Sequence, residues 1–308
     1  MVKKFIIAID LGGTNLKCAL LDSNLKIKAR SSFNTKSFNN KHKLIQGITD
    51  SVESFILSQK LKHSSILGLG IGVPGPVDTL KGIVHFLPNI PGWTEVGLKR
   101  ILENKTKLRV FVDNDAKLMT LAEYKAGAAK KYTNVLCLTL GTGVGGGLII
   151  NDSLYRGFDN AAGEAGHFPL DEKGPLCGCG ARGCLETYVG NNKIIKDAVK
   201  LFGPEITLER VSALARRKNL KAINFWKRVA GKLGLALSGI VNLLNLDLIV
   251  IGGGIACAGN VLFKEIRKTI SRRAMGVQAK RVKIVKARLG VDAGIIGAGY
   301  LVKERLQR

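Results

Sequence analysis

One pattern occurs twice in this chain, and it restricts the possible folds more than any other feature. In the first copy, a mostly apolar run at 5–10 leads into a Gly-Gly-Thr turn, a second apolar run at 16–21 and an Asp-Ser-Asn turn. In the second copy, the run 135–140 leads into Gly-Thr-Gly, the run 144–150 and Asn-Asp-Ser. Runs of this length bounded by turn residues are typical of strands. The repeat therefore predicts an α/β protein with a duplicated core.

The segments between and after the repeats alternate between strands and helices. A helical period is present at about 43–59, and residues 66–73 form an apolar run interrupted by glycines. No low-complexity linker separates the halves. We therefore expect the two halves to pack closely, with a cleft between them.

Composition limits the class of protein and of partner. With 46% hydrophobic and 23% charged residues, the 308-residue chain can bury a core and is not a disordered protein. Forty-eight Lys and Arg against 23 Asp and Glu give a net charge of +25, which favours acidic partners such as nucleic acid, anionic lipid or phosphorylated small molecules. The apolar stretch 240–258 contains two Asn, an Asp and three consecutive Gly, so we expect no membrane partner. Three of the six Cys fall within 177–184, which is typical of metal ligands in a reducing compartment, so we expect a cytoplasmic protein.

The turn of the first repeat is a candidate anion site. It contains Gly12, Gly13, Thr14 and Asn15. Glycine N–H groups can turn towards a phosphate, and the Thr hydroxyl adds a donor. Asp10, at the end of the preceding strand, is a candidate for holding Mg²⁺ through water. An ordinary Gly-Gly hairpin explains this segment equally well when it is considered alone.

The corresponding turn of the second repeat favours the phosphate hypothesis. Gly141, Thr142 and Gly143 are followed by more glycines, including Gly145. Two such hairpins facing each other in a pseudo-symmetric core would clamp phosphates. A third glycine cluster, 252–254, follows a buried apolar run and suits close approach of the backbone to a ribose or adenine.

Asp113, Asn114 and Asp115 lie where a predicted strand ends and a predicted helix begins. Asp and Asn are preferred N-caps, and the local sequence alone favours that structural role. A carboxylate at a strand end is also well placed to take a proton from a substrate hydroxyl.

The densest set of potential metal ligands is His167, Cys177, Cys179 and Cys184. One His and three Cys predict a closed tetrahedral zinc site, and four protein ligands leave no position for water, so the zinc should be structural.

Two acids flank these ligands. Glu164 precedes the His and Glu186 follows the last Cys, so folding the segment round a metal would aim both carboxylates at one place. Two acids and an imidazole edge suit the hydroxyl groups of a sugar.

Together these motifs resemble the ROK family of sugar kinases (repressor, open reading frame, kinase), and within it the bacterial glucokinases. The matching segments follow the family's order along nearly the whole chain: 10–15, 72–78, 88–93, 114–116, 141–147, 163–186 and 252–254. The resemblance implies an actin-like ATPase (ribonuclease H-like) fold, with two lobes and a duplicated core around a cleft. The lobes would be a smaller N-terminal α/β lobe at 1–115, completed by a C-terminal helix at about 293–308, and a larger α/β lobe at 116–292. It implies ATP-dependent phosphorylation of a hexose, with glucose 6-phosphate as the leading product. It also implies a homodimer or homotetramer whose ligands are a small-molecule sugar and ATP.

The resemblance also implies a role for individual residues. Asp115 would be the general base. The sugar ligands would be Asn89, Asn114, Asp115, Glu164, His167 and Glu186. The ligands of ATP, which is accompanied by Mg²⁺, would be Asp10, Gly12, Gly13, Thr14, Asn15, Gly141, Thr142, Gly143, Gly145, Gly253 and Gly254. Asp113 and Lys117 depart from the family, which more often has Glu and Asn at these positions.

Several alternatives remain open at this stage. The acceptor could be fructose, mannose, N-acetylglucosamine or N-acetylmannosamine instead of glucose. A sugar-sensing regulator without catalysis is disfavoured by the intact Asp10, Asp115 and glycine hairpins. The first predicted strand begins at Phe5, so we expect no preceding helix-turn-helix and no operator binding. Aromatic residues are only 6% of the chain and no nucleic-acid motif is visible, so we expect no specific nucleic-acid partner.

Overall fold

The computed structural model describes residues 3–87 and 90–307. Its strands, in chain order, are β1 Phe5–Leu11, β2 Asn15–Asp22, β3 Ile27–Asn34, β4 Ile66–Val73, β5 Val77–Asp78, β6 Ile83–Phe86, β7 Thr94–Val96, β8 Val110–Asn114, β9 Val135–Leu140, β10 Val144–Ile150, β11 Ser153–Tyr155, β12 Leu248–Gly252 and β13 Lys283–Lys286. Its α-helices are α1 Lys41–Ser58, α2 Leu98–Thr106, α3 Asp115–Ala126, α4 Glu186–Val189, α5 Asn191–Phe202, α6 Leu208–Arg216, α7 Leu220–Leu244, α8 Asn260–Arg273, α9 Gly276–Arg281 and α10 Ala293–Leu306.

These elements group into two compact units. Unit 1 comprises the described residues up to Lys125, the segment 156–162 and the described residues from Val291 onwards. Unit 2 comprises 126–155 and 163–290. The lobes predicted from the sequence, 1–115 with 293–308 and 116–292, stay a prediction.

Unit 1 is built on a sheet with the strand order β3-β2-β1-β4-β8. The β1–β2 and β2–β3 pairs are antiparallel, whereas the β1–β4 and β4–β8 pairs are parallel. Successive side chains of a strand point to opposite faces. Ile7 and Ile9 pack in one apolar cluster with Ile48 of α1, while Ile6 and Ala8 pack in another with α10. Burial on both faces explains why β1 is a continuous apolar run.

Unit 2 repeats this arrangement. Its sheet has the order β11-β10-β9-β12-β13, again with two antiparallel pairs followed by two parallel pairs. Leu138 of β9 and Ile251 of β12 belong to one apolar cluster with Leu233 and Leu237 of α7. The shared topology confirms the duplicated α/β core that the repeat predicts.

Glycines in β4 allow close packing of α10. A Cβ atom on Gly70 would overlap the backbone carbonyl of Ala298, and one on Gly297 would overlap the carbonyl of Leu118 in α3. The glycines of the run 66–73 therefore let helix backbone lie directly on the sheet.

A small third sheet, β5-β6-β7, was not predicted from the sequence. Its strands are only two to four residues long, and Trp93 stabilises it by donating its Nε1–H to the carbonyl of Val84 at 3.3 Å. None of the helices in the described part of the chain is long and apolar enough to cross a membrane.

Candidate functional site

The first glycine turn connects β1 and β2 in unit 1. The Gly12 N–H donates to the carbonyl of Asn15 at 2.9 Å, which closes the turn. Thr35 holds the turn from outside, because its N–H donates to the Thr14 carbonyl and its hydroxyl donates to the Gly12 carbonyl, each at 2.8 Å. Thr14 and Asn15 are exposed, so their side chains are accessible to a ligand. Sequence reasoning missed Thr35, whose role depends on a contact with a distant part of the chain.

Asp10 lies beside this turn and is tightly enclosed. Lys17, its partner in the β1–β2 register, places Nζ 3.7 Å from the Asp10 carboxylate. A Cβ atom on Gly294 of α10 would lie 2.5 Å from Asp10 Cγ, so only glycine fits there. Burial raises the pKa of the Asp10 carboxyl above its ordinary value, and Lys17 opposes that shift. A carboxylate held in this way is a suitable hard oxygen ligand for a divalent cation.

Asn114 is the N-cap of α3. Its Oδ1 accepts the N–H of Lys117 at 3.1 Å, three residues into the helix, and its Nδ2 donates to the Gly75 carbonyl at 3.1 Å. A side-chain acceptor on the third N–H is the usual capping arrangement. The capping role favoured by the local sequence is therefore present at Asn114, and its sugar-binding role stays a prediction.

Asp115 is the first residue of α3 and is half-buried. Its Oδ1 accepts the N–H of Ala116 at 2.8 Å. A Cβ atom on Gly72, near the end of β4, would lie 3.0 Å from Leu118 Cδ1 and 3.4 Å from Asp115 Cα, so the first turn of α3 packs closely on this part of the strand. The position is favourable for an ionised carboxylate, because the amino end of a helix stabilises negative charge.

Asp113 and Lys117, the two residues that depart from the family pattern, hold the segment 156–162 within unit 1. Arg156 forms an ion pair with Asp113 at 2.6 Å, and the Asp113 side chain is only 1% exposed. The buried Lys117 donates its Nζ to the carbonyl of Asn160. Both side chains therefore have a structural partner in that segment.

The second glycine turn, between β9 and β10 of unit 2, is held by the segment that carries Glu186. The Gly141 N–H donates to the Gly143 carbonyl at 3.0 Å, and the Asn191 N–H donates to the Gly141 carbonyl at 2.9 Å. Glu186 Oε2 accepts the N–H of Val144 at 2.7 Å. A Cβ atom on Gly143 would overlap that carboxylate. The predicted phosphate hairpin and a predicted sugar ligand are thus in direct contact.

The glycines after this turn serve the packing of the segment around Glu164. Gly145 lies within β10, opposite Thr139. A Cβ atom on Gly146 would overlap the Gly163 carbonyl, and one on Gly166 would overlap the Val144 carbonyl. The 163–166 backbone therefore lies directly on β10, which brings it to the residue whose N–H binds Glu186.

The four predicted metal ligands come together in unit 2. The ligand atoms of His167, Cys177, Cys179 and Cys184 all lie within 4.8 Å of one another. His167 Nδ1 is 3.5 Å from Cys177 Sγ, and the sulfurs of Cys179 and Cys184 are 3.7 Å apart. Tetrahedral Zn–S and Zn–N bonds of about 2.3 Å and about 2.0 Å require separations of about 3.5 Å to about 3.8 Å. The donor set and its spacing therefore fit a zinc ion.

The chemistry of the thiols leads to the same conclusion. Burial, together with the smaller effect of the neighbouring Cys179 and Cys177, raises the pKa of the Cys184 thiol to about 12. Because zinc binds the thiolate, a bound cation would offset this cost of ionising the buried sulfur. Sequence spacing was sufficient to identify this cluster.

The third glycine cluster lies against the second hairpin. Gly253 has φ +83° and packs so closely that a Cβ atom would overlap the backbone of Leu140, the last residue of β9. Gly254 begins a short 3-10 helix and is exposed. The Gly254 backbone is therefore accessible next to the turn.

The other three predicted sugar ligands differ in exposure and in whether the structure describes them. Glu164 is exposed, and its backbone carbonyl accepts the His167 N–H at 3.0 Å. His167 is half-buried, and its Nδ1 faces the Cys177 Sγ. Asn89 lies outside the described residues. All of these binding roles stay predictions.

Comparisons with known proteins agree with this geometry. The ROK family model matches residues 6–305. A glucokinase from Thermotoga maritima is 32% identical, with 99% of each chain covered. A ROK family glucokinase from Streptomyces griseus, solved with glucose and AMPPNP, is 29% identical with a TM-score of 0.83, covering 97% of this chain and 99% of that one. A ROK family transcriptional regulator, a homologue of the E. coli MLC protein, is 25% identical with a TM-score of 0.88, covering 98% of this chain and 78% of that one.

Proposed function

Because this chain belongs to the ROK family of actin-like ATPase folds, we propose that it is an ATP-dependent sugar kinase that converts glucose to glucose 6-phosphate. The observation that carries the proposal is the matched pair of glycine hairpins, each at the same position of an equivalent sheet. Such a pair of turns suits a polyphosphate substrate better than it suits a purely structural role.

Asp115 would act as the general base. It would accept the proton of the sugar hydroxyl while that oxygen attacks the γ-phosphate in line. The hydrogen bond from Ala116 to Oδ1 and the start of α3 support this role, because they orient the carboxylate and favour its ionised form.

The two hairpins would bind the phosphates of ATP. The Gly12 and Gly141 N–H groups close the turns, so the donors to phosphate would be other backbone N–H groups of 13–15 and 142–143. Such neutral donors would stabilise charge on the transferring group without a change in protonation. Asp10 would hold Mg²⁺, which supplies further neutralisation of phosphate charge. Gly253 and Gly254 would contact the nucleoside.

The zinc ion would be held by His167, Cys177, Cys179 and Cys184 and would have a structural role. With all four positions taken by protein atoms, it fixes the segment between Glu164 and Glu186. Nδ1 of His167 would bind the metal, and Nε2 would face the sugar together with both carboxylates.

An ADP-release assay over hexoses and N-acetylhexosamines tests the proposal directly. We expect sugar-dependent ADP release with glucose as the preferred acceptor, and loss of that release in Asp115→Ala. Preference for fructose, mannose, N-acetylglucosamine or N-acetylmannosamine would keep the reaction class and change the acceptor.

A sugar-binding regulator is the second candidate, because the fold agrees closely with the ROK transcriptional regulator. Calorimetric binding of glucose without ADP release from any acceptor, in a sample with full zinc content, would favour that candidate over a kinase.

A further inference from the structure

A concave, cationic surface in unit 2 takes no part in the function proposed above. It is a cavity of about 740 Å³ formed by α4, α5, α7 and α8. Its cationic lining residues are Lys193, Lys227, Arg228, Lys232, Arg272 and Arg273. We propose that this cavity is a second anion site that binds a small molecule carrying two or more phosphate groups.

The charge of the cavity is strongly unbalanced. Asp197 is its acidic lining residue, and both of its carboxylate oxygens are paired with Lys193, at 2.5 and 2.6 Å from Nζ. Among the described residues, none of the other five cations forms an ion pair. A ligand that enters the cavity therefore meets a concentrated positive field, which a multiply charged anion would neutralise.

Helix stability does not explain this arrangement. Arg272 and Arg273 occupy the last turn of α8, where cations interact favourably with the helix dipole. Arg228 and Lys232, however, are four residues apart in the interior of α7, and like charges at that spacing repel each other. An anion bound between the two α7 cations would relieve that repulsion.

The size and floor of the cavity favour a small molecule over a nucleic acid. Phe225 and Val229 are buried lining residues, so the floor is apolar. The Tyr188 ring forms part of the lining, with Lys232 Nζ 4.5 Å from its centroid. Small-molecule sites have volumes of about 300–1,000 Å³. The volume of the cavity falls in this range, and its two aromatic lining residues, of which Phe225 is buried, differ from the rows of stacking rings that bind single strands.

The same helices also hold residues of the candidate site. The Tyr188 hydroxyl donates to Asp171 at 3.4 Å in the metal-binding segment, and α4 begins at Glu186. Since the predicted ATP site also attracts phosphates, a binding test has to be done with that site filled.

Titration calorimetry with inorganic tripolyphosphate, in the presence of saturating glucose and AMPPNP, tests the proposal. We expect one additional site per chain, with affinity that falls as ionic strength rises. In Lys232→Glu/Arg272→Glu, binding should weaken by about 100-fold or more, because each charged contact is worth about tenfold or more. The matched control Lys221→Glu/Lys268→Glu makes the same charge change on the same two helices outside the cavity, and should stay within about twofold of the unaltered protein.

Further ligands and a milder variant decide the remaining outcomes. A hexose bisphosphate and ADP, titrated in the same way, identify which source of paired phosphates binds best. Lys227→Gln/Arg273→Gln removes charge without reversing it and should also weaken binding. It replaces the first variant in the test if that variant does not fold. No additional site, or equal losses in the control, would overturn the proposal. The proposal would also be overturned if a short DNA duplex bound more tightly than tripolyphosphate and its binding depended in the same way on Lys232 and Arg272.

Discussion

Glu186 and Val144 are joined by a hydrogen bond in which the backbone N–H of Val144 donates to Oε2 of Glu186 at 2.7 Å. Val144 directly follows the second glycine turn, and the carboxylate also occupies the space that a side chain at Gly143 would need. The acid predicted to bind sugar therefore also fixes the hairpin predicted to bind ATP.

This contact predicts that loss of the Glu186 carboxylate affects both substrates. We expect Glu186→Ala to raise the KM for sugar and for ATP by about tenfold or more each, since a hydrogen bond to a charged group is lost on each side. Glu186→Gln retains an acceptor for the Val144 N–H, so it should restore the KM for ATP more than the KM for sugar. Glu164→Ala should raise the sugar KM alone. Steady-state kinetics with each substrate varied would contradict the idea if Glu186→Ala left the ATP KM unchanged.

The general-base assignment predicts a rate effect that is larger than the binding effect. Asp115→Ala should fold, still bind glucose through the other sugar ligands and lower kcat by about 10²–10⁴-fold. Calorimetry for glucose and an ADP-release assay measure the two quantities separately. Near-normal turnover in this variant would refute the assignment.

The proposed zinc site predicts that loss of a ligand lowers stability and sugar affinity together. Cys179→Ala should reduce zinc content, lower Tm and weaken glucose binding, because the segment between Glu164 and Glu186 loses its fixed point. Cys257→Ala is the matched control, since Cys257 is an exposed free thiol outside the cluster. Elemental analysis, thermal unfolding and calorimetry provide the three readouts. Unchanged sugar affinity in a verified zinc-free sample would show that the metal does not organise the sugar ligands.

The environment of Asp10 predicts a conflict between stability and activity. Burial raises the pKa of the Asp10 carboxyl in the folded protein, so the folded protein binds this proton more tightly than the unfolded chain does. The folded state therefore loses stability as the pH rises from the pKa of the unfolded chain through the pKa of the folded protein. Asp10→Asn should therefore increase the free energy of unfolding at neutral pH while abolishing magnesium-dependent turnover.

The same linkage supplies the control for Asp10. Below the unfolded pKa both forms of the side chain are neutral, so the stability gain of Asp10→Asn should shrink towards zero in acid. Denaturant unfolding at neutral and acidic pH measures the difference. A variant that is less stable than the unaltered protein at neutral pH would contradict the prediction.

Local patterns in the sequence were sufficient for the main elements of the fold. The repeat predicted the duplicated sheets because apolar runs and glycine turns are short-range signals. The run 66–73 coincides with β4, and the predicted helix at about 43–59 agrees closely with α1. The third sheet was missed because its strands are too short to show a period, and because Val77, Val84 and Trp93 pack in an apolar cluster with distant residues of β1 and α1.

In the candidate site, too, local features were predictable from the sequence and contacts between distant residues were not. The cluster of His167 with three Cys was visible in the sequence because metal ligands recur at short spacing. The role of Asn114 as a cap was also visible, because capping depends on residues three positions apart. The support of Gly12 and Thr14 by Thr35 was not visible in the sequence.

The sequence by itself determined the main strands and helices, where the glycine turns fall and which four side chains form the candidate metal cluster. Only the tertiary structure decided that Glu186 binds Val144, that Gly294 encloses Asp10 and that Lys193 and Arg272 line one cavity. The physical reason is that periodicity and spacing encode interactions along a few turns of chain. Contacts between distant residues depend on how whole sheets and helices pack, which is set by the apolar cores of the two units.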